Sequence, residues 1–288
     1  MADEAVVEYA ADGRSVRLAY RWHRPPPPSA ERHPIPLVCL HGSMCDSSFY
    51  DHLEGALPGC QALCIDLPGH GASEAVSSIA SAGAPTTMEE MASAVRALLS
   101  TLGVSKSSDW AVAGHSLGGA VALLVLELIA NGSTGEQLPR FYLSLEGNAT
   151  PACCAENGLS RRVAAMPQPP SSEEVLQMVS SAPFWEASAR RVGDSLGLLT
   201  HRIWVSLVEW CDGRTLDGAT LEQMQRRVPL RFVYGSTSGK QHAQNVAAQA
   251  AHPDAASACI EGAGHFMLTD DPQATISAVR GLLRGLVW

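Results

Sequence analysis

Between residues 35 and 147 short, unbroken apolar runs alternate with longer stretches of helical periodicity. This rhythm restricts the fold more than any other feature of the chain. IPLVCL (35–40), QALCI (61–65), WAVAG (110–114) and FYLSL (141–145) are too short for buried helices and apolar on both faces of a pleat, as strands inside a parallel sheet are. Between the second and third runs, Met88, Met91, Ala92, Val95, Leu98, Leu99 and Leu102 recur at helical spacing. Thr86 or Thr87 can cap this helix, with Glu89 or Glu90 close behind, and Gly103 can end it. A second helix is predicted over LGGAVALLVLELIA (117–130). Strand, helix, strand and helix with short links predict an α/β fold whose mostly parallel sheet carries helices on both faces. Ligands of such sheets sit at the carboxyl ends of the strands. His41-Gly42, Ser116 and Glu146 all fall there.

The flanking segments fit the same architecture. AVVEYA and SVRLAYRWH predict a hairpin turning at Asp12-Gly13. PPPPSAERHP (25–34) reads as a loop, since proline cannot donate to a ladder. After Gly147 the strand rhythm stops. Amphipathic helices are expected at SSEEVLQMVSSAPFW (171–185) and LLTHRIWVSLVEW (198–210), so residues 148–225 are expected to form an inserted helical cap. Strands resume at PLRFVYG and SACIEGAGHF, and DPQATISAVRGLLRGLV closes the chain as a helix. Residues 1–147 and 226–288 are then the core. No internal repeat is present.

Composition narrows the class. A formal net charge of −9 argues against nucleic acid, which needs a basic footprint. The acidic opening MADEAVVEYA has no basic, apolar leader, and the longest apolar run contains Glu127 and is too short to span a bilayer. A soluble, cytoplasmic protein with no transmembrane segment is expected. Its oligomeric state is not readable. The eight cysteines show neither C-x-x-C pairing nor zinc spacing. They are expected as reduced, buried thiols rather than a disulfide framework or metal site, with Cys39, Cys64 and Cys259 in strand-like runs.

Gly114-His115-Ser116-Leu117-Gly118 matches G-x-S-x-G, and the strand before it and helix after it give the pentapeptide weight. In that setting the serine sits on a sharp turn above the sheet; the alternative is a serine that only caps the helix. A serine hydroxyl needs a base within hydrogen-bond reach. Of the ten histidines, His265 follows the last strand, so its loop opens at the same edge as Ser116. Phe266 and Met267 can pack it in place. His41 and His115 are expected to bond locally within their turns, His70 lies in the PGHG turn, and His201 is expected on the cap surface.

With HGS at 41–43, DLPGHGAS at 66–73, GHSLGG at 114–119 and GAGHF at 262–266, the chain resembles the α/β-hydrolase superfamily over nearly its whole length. The resemblance implies Ser116 as nucleophile, His265 as base, and an oxyanion hole formed by the backbone N–H groups of Ser43 and Leu117. It also implies an acid after the strand PLRFVYG, where this chain reads Gly235-Ser236-Thr237-Ser238-Gly239-Lys240 with no carboxylate. Either the acid lies elsewhere or a Ser–His dyad operates. Glu146, at the end of the earlier strand, resembles a relocated acid; it can instead cap the next turn or pair with a cap arginine. Asp66 reads as a turn residue, and Asp270 and Asp271 as the start of the last helix. Epoxide hydrolases and haloalkane dehalogenases of this superfamily use an aspartate nucleophile, which Ser116 disfavours.

The expected function is therefore cofactor-independent, metal-free hydrolysis of a small ester or other acyl substrate. Phe184, Trp185, Trp204 and Phe266 are candidate pocket residues, with packing between cap and core as the alternative role. Thioester or lactone hydrolysis and C–C bond cleavage would use the same parts. A ligand receptor of this fold with little turnover is the reading from another class.

Overall fold

The computed structural model describes residues 3–9, 13–23, 34–73, 87–132, 135–147, 158–171, 173–174, 177, 196–213, 227–238 and 256–287. Phe184, Trp185 and most of the helix expected over 171–185 lie outside them.

The sheet has eight strands: β1 (Asp3–Glu8), β2 (Ser15–Trp22), β3 (Ile35–Leu40), β4 (Cys60–Ile65), β5 (Ala111–His115), β6 (Tyr142–Leu145), β7 (Leu230–Gly235) and β8 (Ala256–Ile260). Their order is β1-β2-β4-β3-β5-β6-β7-β8. The β1–β2 hairpin and its junction with β4 are antiparallel, and all other pairs are parallel.

Side chains alternate across the pleat and feed two cores. Val38, Leu40, Leu63, Ile65 and Val112 pack on one face beneath α1 (Met88–Thr101) and α2 (Leu117–Asn131). Leu37, Cys39, Ala62, Cys64, Ala111 and Ala113 point to the other face. There they meet the 3-10 helix Ser47–Leu53 and the C-terminal helix. Helix α1 begins as its sequence dictates. Thr87 accepts from the Glu90 N–H, and the Glu90 carboxylate accepts from the Thr87 N–H, a reciprocal cap.

Between β6 and β7 run α3 (Gly158–Ala164) and α4 (Leu196–Gly213), which pack on each other; α4 also contacts α1. Ile203, Trp204 and Leu207 of α4 are buried in the first core. Two helices follow β8: the short α5 (Met267–Asp270) and then α6 (Pro272–Leu283). Asp271 caps α6 by accepting from the Ala274 N–H at 2.9 Å, with Pro272 in the first turn, as the sequence suggested. Asp270 instead ends α5, so its expected place at the start of the last helix is corrected.

Cys39, Cys45, Cys60 and Cys64 are buried free thiols, whereas Cys259 is exposed. It sits on β8, an edge strand with a neighbour on one side only, which accounts for the departure from the buried position expected of it. Among the described residues no helix is long and apolar enough to cross a membrane.

Candidate active site

The elbow after β5 is strained by design. Ser116 has φ 50° and ψ −118°, a conformation L residues avoid. A side chain at Gly118 would place its Cβ 2.1 Å from the Leu40 carbonyl oxygen, so only glycine lets α2 start this close to the end of β3. Ser116 precedes α2, yet its hydroxyl makes no capping hydrogen bond. Its backbone is fixed by other means: its N–H reaches the Leu145 carbonyl at 3.4 Å, and its carbonyl accepts from the Gly119 N–H at 3.0 Å.

Among the described residues only two other non-glycines have positive φ, Met44 (60°) and Glu146 (44°). The three follow β3, β5 and β6, which are neighbours in the sheet. Unusual backbone is thus concentrated along one edge, where the topology places ligands.

His265 lies in the turn after β8, and its Nδ1–H donates to Glu146 Oε2 at 2.7 Å. The other Glu146 oxygen accepts from the Gly235 N–H at 2.8 Å. The Glu146 side chain is fully buried; a carboxylate in such a place needs both partners to be tolerated. With Nδ1 donating, the neutral imidazole keeps Nε2 as its basic nitrogen. The His265 turn reaches the elbow through His115, whose Nε2–H donates to the His265 carbonyl at 2.9 Å. The two rings lie 4.7 Å apart between centroids. His115 was expected to bond within its own turn; it bridges two turns instead, because its ring is packed beneath the edge against Phe49.

Residues 236–238, just after β7 and without a carboxylate among them, hold the histidine turn with hydroxyls. Thr237 Oγ1 donates to the Ala263 carbonyl at 2.8 Å, and Ser236 Oγ accepts from the Gly262 N–H at 2.8 Å. Asp270 completes this support by accepting from the Gly264 N–H at 2.8 Å. Sequence reasoning missed these roles. The only signal was a cluster of hydroxyl residues where an acid was sought.

Ser43 and Leu117 flank the elbow on the β3 and α2 sides. Leu117 opens α2, so its N–H is one of the four that a helix leaves without an internal partner. At Ser43 the peptide orientation is fixed from behind. His41 Nε2 accepts from the Leu67 N–H at 3.0 Å, so its Nδ1–H is free to donate to the Gly42 carbonyl at 2.7 Å. The Cys45 N–H reaches the same carbonyl at 3.2 Å. A planar trans peptide then sends the Ser43 N–H the opposite way. Asp66 is a turn residue, accepting from the N–H groups of Ser47 and Ala72.

Trp204 on α4 is buried and its indole N–H donates to Ser43 Oγ at 3.1 Å. Phe266 is half-buried with its ring 5.4 Å from that of His115. His201 is partly buried rather than on the surface, and its Nε2 lies 3.1 Å from the Met166 carbonyl, which ties α4 to the end of α3. Burial holds His41, His70 and His115 below the usual imidazole range, His70 to about 3 and His115 further depressed by His265. All three are neutral supports beneath the edge. Among the described residues no cluster could hold a metal ion.

The described family that matches is the alpha/beta hydrolase family, over residues 37–278. No curated protein sequence matches. A thermophilic esterase from Thermogutta terrifontis superposes with a TM-score of 0.67 at 19% identity, covering 99% of this chain and 100% of its own. The N-acyl homoserine lactonase AidH, complexed with N-butanoyl homoserine, gives 0.71 at 18%, covering 99% and 97%. MenH from S. aureus gives 0.66 at 18%, covering 93% and 98%. At these identities the likeness is one of fold.

Proposed function

Because this chain belongs to the alpha/beta hydrolase family, we propose that it is a serine hydrolase cleaving a small carboxylic ester through an acyl-enzyme. Ser116 Oγ attacks the carbonyl carbon while His265 Nε2 takes the hydroxyl proton. The carbonyl oxygen gains negative charge and is held by the N–H groups of Ser43 and Leu117. The carbon–oxygen bond to the alcohol then breaks, and His265 returns the proton to that oxygen. Water, deprotonated by His265, attacks the acyl carbon; the bond to Ser116 Oγ breaks, His265 returns the proton to that oxygen, and the acid is released. Glu146 orients the imidazole and stabilises the imidazolium formed in each half-reaction. Every step is acid–base or acyl transfer, so no cofactor enters.

The observation that carries this reading is the His265–Glu146 pair, 2.7 Å long, with a buried carboxylate anchored on the opposite side by Gly235. Glu146 is read as the orienting acid that residues 236–240, after β7, do not supply. Residues 148–225 act as a helical cap over the core formed by 1–147 and 226–288, with Trp204 and Phe266 at the substrate-facing boundary.

Turnover of p-nitrophenyl acetate and butyrate tests the reading. Multiple turnovers by the wild-type chain, lost in Ser116→Ala, are expected. Equal rates in the two proteins would contradict it. Comparing thioesters, lactones and esters of increasing acyl length then assigns the substrate class within the same mechanism. Binding without turnover would favour a receptor.

A further inference from the structure

An indole N–H can only donate a hydrogen bond. In the contact between Trp204 Nε1 and Ser43 Oγ, 3.1 Å long, Ser43 is therefore the acceptor. The serine's own proton must be directed elsewhere, and among the described residues it is donated to no acceptor. Ser43 is only half-buried, so that proton can face a bound molecule. The residue before it passes directly against the elbow: a Cβ on Gly42 would stand 3.2 Å from the Ser116 Cβ. The indole itself has little freedom. Trp204 is 4% exposed, its neighbours Ile203 and Leu207 are buried, and Ser206 Oγ accepts from the Met88 N–H at 2.9 Å, fastening α4 to the start of α1.

We propose that Ser43 donates its side-chain hydroxyl, in addition to its backbone N–H, to the developing oxyanion, and that Trp204 is the positioning residue that aims it. The inference rests on the serine hydrolase reading above and adds to it a link from the helical insert to the transition state. A hydroxyl left to rotate would spend part of its time pointing at solvent. One whose lone pair is taken by the indole has fewer orientations open to its proton. A donor fixed in advance needs no reorganisation when charge develops.

The test is a double-mutant cycle on the full chain with p-nitrophenyl butyrate. Ser43→Ala is expected to lower kcat by about 10- to 100-fold with KM little changed, the signature of an interaction made in the transition state. Ser43→Thr, which keeps the hydroxyl, should recover most of the rate. Trp204→Phe should lower kcat by roughly 3- to 10-fold alone and not at all in the Ser43→Ala background, because its effect passes through the missing hydroxyl. Multiplying losses in the double variant, a Trp204→Phe effect on KM alone, or a Ser43→Thr variant as slow as Ser43→Ala would each overturn the proposal. If Trp204→Phe does not fold, the comparison of Ser43→Ala with Ser43→Thr at matched melting temperatures decides. Loss of turnover in Ser116→Ala is measured alongside; if it does not occur, the hydrolase reading has failed, and not merely the role of Ser43.

Discussion

Met44, Ser116 and Glu146 adopt positive φ just beyond the ends of three adjacent strands, at a cost of about 1–3 kcal/mol each. A chain with no use for this edge could place glycine at each. Retaining side chains there has a purpose most readily seen at Glu146, whose two oxygens divide between the Gly235 N–H and the His265 Nδ1–H. Glu146→Gln can keep the first contact while turning an amide N–H₂ toward the imidazole, which favours the wrong tautomer. Steady-state kinetics should show kcat reduced by about 10²- to 10⁴-fold with circular dichroism and melting temperature near wild type. Undiminished kcat would remove Glu146 from the mechanism and leave a Ser–His dyad.

At the scale of elements, the strands and long helices are legible in the sequence where one signal dominates. β3 to β6 announce themselves as apolar runs. α1 has apolar periodicity, a reciprocal cap and a glycine stop at Gly103, whose φ is 74°. Replacing Thr87 with alanine removes the cap, and chemical denaturation should report a loss of about 1 kcal/mol; an unchanged midpoint would mean that packing alone positions the start of α1. What could not be read are the short pieces. The 3-10 helix Ser47–Leu53 and the four-residue α5 complete barely a turn or two, too few residues for periodicity to register, and tertiary packing of Phe49, Tyr50 and Met267 decides them. The link from Trp204 to Ser43 spans 161 residues of chain, a distance over which no local pattern carries information. The same holds for His115 and His265, separated by 150. Sequence order could place Glu146 and His265 at one edge, but only the folded loops show that the hydroxyls of Ser236 and Thr237 brace the histidine turn.

For the molecule as a whole, the edge is supported by imidazoles that the fold keeps uncharged. In the unfolded chain a histidine gains its proton near pH 6.5, whereas burial holds His70 neutral down to about 3. Between those values the unfolded state binds a proton that the native state refuses. Stability should therefore fall as the pH drops from 6.5 toward 3, by about 1.4 kcal/mol per unit for each such group. Buried His41 and His115 act in the same direction. Urea unfolding at pH 7, 6 and 5 should show the decline, and His70→Gln should make it shallower; an identical slope in the variant would count against His70. The most direct measurement of the central claim is peptide mass spectrometry after exposure to a fluorophosphonate. A single adduct on Ser116 is predicted, formed by the wild-type chain and sharply reduced in His265→Ala. Labelling of another residue, or equal labelling of Ser116 without the imidazole, would contradict it.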